Sequence, residues 1–358
     1  MEVRRMRTTI KQIAAALDVS AKTVSKALND RGEVGEELRQ KIIETARIMD
    51  YRPNRSAAAL SRQEIRLISV APLEPVNYYS FVNKGLISTA RELEDLRCTV
   101  DFRWYSSPNA HDEVRRILRD VLSGHAGASG MVITCSYEPH YYQEELREIS
   151  RKMPIVFNTL FANGVEHIGA VGLKTRIAGK MAAEYLMAVT RSDGGKLAVF
   201  TGNRDAPVHK GCIEGFVEKA GSIGDLFDTY DDFDAAERHT IELFSGKSDI
   251  RGVYVSSYNS PGVCRGLKKL GLDRKIPVIG HDIYPEIIGY LDDGTLSATL
   301  FQDQRTYGRN SLRCMYEHLV GISENQYGLM TPRMVLGCMA HEFPAYENVE
   351  LCKPYSNQ

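Results

Sequence analysis

Residues 18–32 read DVSAKTVSKALNDRG. Val19, Val24, Ala27 and Leu28 give one apolar stripe, and Ser20, Lys22, Ser25 and Lys26 fall between them. A helix this short lies well below the roughly 12–15 residues an isolated helix needs for marginal stability in water. Its stripe must therefore pack on neighbours, which leaves the polar face free to touch something else. Ser20 is placed to cap a helix over Ala21 to Leu28. Upstream, Thr9 with Gln12 three residues on forms a capping box before IKQIAAAL, whose Ile10, Ile13, Ala14 and Leu17 share a face. After NDRGEVG, Leu38, Ile42, Ala46 and Met49 recur at helical spacing until DYRPN, where Pro53 disfavours helix at Arg52. Three short amphipathic helices can share one small core.

The charge distribution singles out the same region. The whole chain of 358 residues has a formal net charge of -1. Residues 1–62 hold thirteen Lys and Arg against eight Asp and Glu, an excess of five, which leaves -6 for the other 296. A basic head on an acidic body suits a nucleic-acid module, although a solvated surface would give the same count. The length implies two or three domains, and 43% hydrophobic with 25% charged residues is a globular composition. The opening MEVRRMRTTIKQ lacks an apolar core of signal-peptide length, and no run of about 18 apolar residues occurs. A cytoplasmic location with no membrane partner is expected. Seven cysteines (98, 135, 212, 264, 314, 338, 352) stand singly, without C-x-x-C or zinc-ligand spacing, so idle thiols, no metal and no cofactor are expected.

From Arg66 on, apolar strands alternate with amphipathic helices. The strands are RLISVAP, CTVDFRWY, GMVITCS, PIVFNTL, KLAVFTGN, GVYVSS, PVIGHD and SATLFQD, with VNKGLISTARELEDL, AHDEVRRILRDVL, TRIAGKMAAEYLMAV and GCIEGFVEKAG among the intervening helices. Such alternation over some 280 residues predicts two doubly wound parallel sheets with a ligand cleft at the carboxyl ends of the strands.

Two short helices joined by a tight break, the second rich in Ser, Thr and Lys, make a helix-turn-helix whose second helix fits the DNA major groove. Lys22 and Lys26 are four apart on its outward face and can donate to guanine O6 and N7, while Thr23 and Ser25 can hold phosphates. On pattern alone, a small helical domain with an ordinary polar surface stays open. TIKQIAAALDVSAKTVSKALND and VGEELRQKIIETARIMDYRPNRSAAALS, however, resemble the DNA-binding headpiece and hinge of the LacI/GalR (lactose-repressor and galactose-repressor) family continuously over residues 9–61.

The resemblance implies an all-α headpiece over residues 8–52, a hinge over 53–63, a two-lobed periplasmic-binding-protein-like α/β effector domain over 64–345 and a tail over 346–358. It implies lobe limits of about 64–161 with 295–324, and about 162–294 with 325–345, the chain crossing between lobes three times. By the same resemblance Ala21, Lys22 and Lys26 occupy base-reading positions, and Thr9, Ser20, Thr23, Ser25, Asn29, Tyr51, Asn54, Arg55 and Ala57 join the DNA-binding set. Leu60 matches the leucine that wedges into the minor groove when the hinge folds on the operator in a dimer; a linker leucine packing on the body is the alternative. Lys26 stands where the family usually has Arg, and Asp18 and Asp50 where Gly is usual. Three alanines favour helix in NRSAAALSRQ, but the segment is too short to fold unaided.

For the body, PVIGHDIYPEIIGYLDDGTLSATLFQDQRTYGRNSLRCM resembles sugar-binding members, which places Asp282 and Gln302 at the ligand. A carboxylate accepts from two vicinal hydroxyls, and an amide both donates and accepts. Tyr78 and Tyr79 are candidates to stack on a sugar ring. Ser136, Asn158 and Asn259 join them at strand ends, with Asn158 standing where many sugar binders have Asp. Cys212 occupies the place of a common ligand-binding Arg, so Arg204, His209 or Lys210 is expected to substitute, and Arg204 and Lys210 enter the candidate set. The expected partners are a near-palindromic DNA duplex, a carbohydrate-like effector and a second copy of the chain. An enzyme is disfavoured: SGKSD has Ile241 where the first P-loop glycine belongs, and neither G-x-G-x-x-G nor G-x-S-x-G occurs. A solute-binding protein without a DNA role is the other reading, and the headpiece argues against it.

Overall fold

The computed structural model describes residues 8–28, 34–49, 51, 64–73, 78–107, 109–124, 127–135, 138–190, 195–246, 248–322 and 327–343. The N-terminal helices are α1 (Ile10–Ala16), α2 (Ala21–Leu28) and α3 (Glu36–Ile48). Their stripes meet as expected: Ile13, Ala14, Val24, Ala27, Ile42 and Ala46 form a buried core, with Ile10, Leu17, Val19, Leu28, Leu38, Met49 and Tyr51 packed around it. Both halves of the Thr9–Gln12 capping box are made. Asp18 turns the chain between α1 and α2 at φ 51, a left-handed conformation that Asp visits more readily than most residues.

The body holds two six-stranded sheets. The first is built from β1 (Ile65–Pro72), β2 (Cys98–Tyr105), β3 (Gly130–Thr134), β4 (Ile155–Asn158), β5 (Gly169–Leu173) and β11 (Leu329–Met330), in the order β11-β5-β4-β3-β1-β2. The second holds β6 (Lys196–Thr201), β7 (Asp225–Asp228), β8 (Ile250–Val255), β9 (Val278–His281), β10 (Ala298–Phe301) and β12 (Arg333–Leu336), in the order β12-β10-β9-β8-β6-β7. Pairing is parallel throughout except β10 with β12. Strands β3, β4 and β9 are buried along their whole length, as strands covered on both faces must be. Each sheet starts its order in the same way, with its second strand outside its first and the third on the other side. That reversal creates a switch point at the carboxyl ends.

The covering helices are α4 (Tyr78–Glu94), α5 (His111–Gly124), α6 (Gln143–Ser150), α7 (Thr175–Val189), α8 (Pro207–Ala220), α9 (Phe233–Phe244), α10 (Ser260–Lys269), α11 (Pro285–Asp292) and α12 (Gln304–Leu319). Glycine lets helices in each lobe approach closely. A Cβ on Gly85 of α4 would lie 2.0 Å from the Arg305 carbonyl oxygen, and one on Gly308 of α12 would lie 2.1 Å from that of Val82. In the second lobe, Gly179 of α7 would meet the Cys212 oxygen at 1.9 Å.

The chain crosses between lobes three times, but later at each crossing than expected. β5, at 169–173, completes the first sheet, so the first crossing follows it and not residue 161. β10 belongs to the second sheet, which moves the second crossing from about 294 to beyond Phe301. The third falls between β11 and β12, after 330 and not after 324. Each time, a strand that pairs into the sheet of one lobe is finished before the chain leaves it: β5 beside β4, β10 beside β9, and β11 beside β5. Arg333 reaches Asp303 at 3.3 Å, which ties the second and third crossings together. No helix among the described residues is long and apolar enough to span a membrane. Of the seven cysteines, those at 98, 135, 212, 264, 314 and 338 are free thiols, and Cys352 lies outside the described residues.

Candidate functional site

Two places concentrate polar groups on a fixed frame. The first is α2. Its buried side holds Val24 and Ala27, while Ala21, Lys22 and Lys26 are exposed. The Ser20 hydroxyl accepts from the Thr23 amide at 3.0 Å and lies 2.8 Å from the Thr23 hydroxyl, so the two side chains close the N-terminus of α2. Thr9 does the same for α1, with its amide donating to Gln12 Oε1 at 2.8 Å. The Thr8 hydroxyl donates to the Met49 carbonyl at 2.6 Å, which binds the start of α1 to the end of α3. α2 is thus a rigid two-turn platform carrying two lysines one turn apart, with Ser25 half-buried beside them. Tyr51 is half-buried against this core and donates its amide to the Ala46 oxygen, and burial raises its phenol pKa. The expected contacts at Asn29, Asn54, Arg55, Ala57 and Leu60, and the Asp50 departure, lie outside the described residues.

The second place is a cavity of about 630 Å³ between the lobes. The first lobe contributes Tyr78 and Tyr79 from the start of α4 and Thr159 and Leu160 after β4. The second contributes His209, the 231–234 turn, Ser256 to Tyr258, His281, Asp282 and Gln302. These are carboxyl ends of strands and the helix starts that follow, where an open α/β sheet binds ligands. Three non-glycine wall residues are left-handed: Thr159 at φ 70, Asp231 at φ 58 and Asp282 at φ 65. Thr159 is β-branched, so this backbone is costly and holds only because its neighbours dictate it.

Asp282 and Gln302 are 9% and 7% exposed and are joined by a hydrogen bond from Gln302 Nε2 to Asp282 Oδ2 at 3.0 Å. Gln302 Nε2 is also 3.3 Å from His281 Nδ1, and Tyr254 Oη is 2.8 Å from His281 Nε2. An amide nitrogen can only donate, so Nδ1 accepts and Nε2 carries the proton toward Tyr254. Tyr254 in turn bonds Cys212. A buried relay thus runs from Cys212 through Tyr254, His281 and Gln302 to Asp282. It explains the departure at Cys212: the thiol is fully buried and braces the relay from behind. Burial raises its pKa to about 12 and lowers that of His281 to about 3, so both are neutral. Burial also pushes the Asp282 carboxyl up to about 7, against hydrogen bonds from Gln302 and Gln304. Asp282 Oδ1 has no hydrogen-bond partner among the described residues.

Tyr78, Tyr79, Asp282 and Gln302 therefore come together as expected on sequence, and of the three residues offered in place of an Arg at 212, His209 joins them; the other candidates do not. Arg204 is bound to the Asp228 carboxylate through its amide and guanidinium and is absent from the wall. Lys210 is exposed on α8: His209, one residue earlier, faces the cavity, and the 100° step of a helix turns Lys210 to solvent. Asn259 is fully buried, with its amide donating to the Thr229 hydroxyl, and holds β7 to α10. Asn158 is fully buried next to Thr159 and is not a wall residue. Ser136 lies outside the described residues. Sequence reasoning missed Thr159, Asp231, Asp232, Asp234, Ser257, Tyr258, Arg265, His281 and Glu286. Their signal in the sequence is TYDDFD at 229–234, an acidic run after a strand, and DLFD hides that strand because it is only four residues long with an acid at each end.

Comparison with known proteins assigns both parts. Residues 9–54 match the model described as bacterial regulatory proteins, lacI family, and residues 69–323 match the periplasmic binding protein domain. The chain is 30% identical to the HTH-type transcriptional regulator DegA of Bacillus subtilis over 154 residues, 42% of this chain and 43% of DegA. It is 24% identical to a ribose operon repressor of Halalkalibacterium halodurans over 290 residues, 78% of this chain and 81% of that protein. The fold is similar to that of GanP, a glucose-galactose binding protein from Geobacillus stearothermophilus, with a TM-score of 0.67 and 22% identity over 79% of this chain and all of GanP.

Proposed function

The chain belongs to the lacI family of bacterial regulatory proteins, and from that footing we propose that it is a transcriptional repressor whose hold on DNA is set by a sugar-like molecule in the interlobe cavity. One observation carries the reading. A single chain joins a braced helix with two exposed lysines to a cavity walled by both lobes. The relatives named as regulators, a ribose operon repressor among them, support the DNA-binding half. The donors and acceptors on Asp282 and Gln302, with tyrosines nearby, support a polyol as effector. We place the working form as a cytoplasmic homodimer reading a near-palindromic duplex, with Lys22 and Lys26 at base edges and Ser20, Thr23 and Ser25 near phosphates. A ligand that favours one lobe arrangement over the other needs only about 1–3 kcal/mol of coupling to change DNA affinity 5- to 150-fold.

Selection from a pool of randomised duplexes with the full chain tests this directly. An enriched two-fold motif is the expected result. Enrichment of no sequence over the starting pool, with sugar binding intact, would reassign the chain to solute binding alone.

A further inference from the structure

The cavity is one-sided in charge. Asp231, Asp232, Asp234, Asp282 and Glu286 are on its wall, and the cationic side chain there is Arg265. That guanidinium is already engaged, 2.8 Å from Asp234 and 3.0 Å from Glu237. Asp232 is committed to capping α9 through the amides of Asp234 and Ala235. Asp231 and Asp282 are different, because neither pairs with a Lys or Arg among the described residues.

The neighbours of Asp282 are Gln302 and Gln304, with His281, Tyr254, Tyr284, Tyr307, Cys212 and His209 around them and Asp303 beyond. The tyrosines and the cysteine keep their protons and the two histidines are held neutral by burial, so no cation among the described residues faces this carboxylate. Buried carboxylates are ordinarily paired, and an unpaired one is costly. Asp282 Oδ1 is buried, unpartnered and on the cavity wall. Behind it, Cys212 is fully buried as a neutral thiol and adds no charge. Tyr78, Tyr79, Phe233 and Tyr258 add aromatic faces, which attract cations and repel anions.

We propose that the effector brings the missing positive charge: it is an amino-substituted sugar or cyclitol whose ammonium group lies against Asp282 and Asp231. This rests on the reading of the cavity as a polyol site and narrows it. Phosphorylated and carboxylated sugars are disfavoured by the same walls, since among the described wall residues the one Lys or Arg, Arg265, is already paired with Asp234 and Glu237.

The test is calorimetric titration of the full chain at pH 7.5 with matched series: 2-amino-2-deoxyhexoses, their parent hexoses, the corresponding uronic acids and 6-phosphates. At least tenfold tighter binding of an aminohexose than of its parent is expected, weakening with added salt and falling toward parity in Asp282→Asn. Asp231→Asn serves as a second variant if Asp282→Asn fails to fold, as judged by its thermal melt. Equal or tighter binding of a neutral or anionic sugar would overturn the charge assignment while leaving the polyol site standing. No binding by any sugar, whatever its charge, would remove both.

Discussion

At the scale of single residues, two side chains carry the sharpest consequences. Lys26 is exposed on a helix whose other side is locked into the headpiece core. Lys26→Ala is expected to weaken binding to the selected duplex about tenfold and to relax preference at one base pair, read by fluorescence anisotropy against random competitor. A uniform loss on all sequences would make it a phosphate contact instead. Asp282 is the second. Its folded-state pKa of about 7 lies above the ordinary 3.8, so between those values the folded chain holds a proton that the unfolded chain has released. Stability from this group therefore falls as pH rises from about 4 to about 7 and does not recover above that. Asp282→Asn removes the penalty, and its stability advantage over the parent is expected to grow across that window and then level, as measured by urea melts. His281 acts in the opposite sense. Its folded pKa of about 3 lies below the ordinary 6.5, so its contribution rises with pH between those values and partly hides the Asp282 slope in the parent protein. For Asp282→Ala, loss of response to any effector with DNA binding retained is expected in a duplex-release assay.

Elements are positioned by close backbone contacts that tolerate little. Gly85 and Gly308 face each other across α4 and α12, and an added Cβ on either would fall about 2 Å from backbone oxygen. Gly308→Ala is expected to cost about 1–3 kcal/mol, as overpacking does, and to shift the second crossing, since α12 starts at its end. A differential scanning trace with an unchanged midpoint would show that the helices can separate freely. The element level also shows what a sequence reader can and cannot see. The α2 stripe, the Thr9–Gln12 box and strands such as CTVDFRWY announce themselves through period, cap and β-branched content. GAVGL at 169–173 does not, because two glycines and an alanine supply no alternation, and its burial comes from neighbours far away in sequence. DLFD has a similar difficulty, being four residues with acids at both ends. Missing these two displaced the first lobe crossing and hid the acidic turn at 231–234. Asp282 and Gln302 were legible through the resemblance to sugar-binding members, and Tyr78 and Tyr79 through their place at the start of a patterned helix. His281 was not, since its role depends on Tyr254 and Cys212, which only folding brings beside it.

On the scale of the molecule, the cavity wall is drawn from both lobes, so a ligand there is a contact between bodies joined by three crossings. Any molecule that fits one lobe arrangement better must shift the balance between arrangements by its difference in affinity, and no further. The headpiece has a core of its own, made by residues of α1, α2 and α3. In the proposed homodimer, what the body would alter is where the two headpieces stand. The most direct measurement is the affinity of the full chain for its selected duplex, at one salt concentration, with and without a saturating amino sugar that binds the cavity. A change of 5- to 150-fold, in either direction, that vanishes in Asp282→Ala is the expected result. Identical affinities with the cavity empty and filled would contradict it.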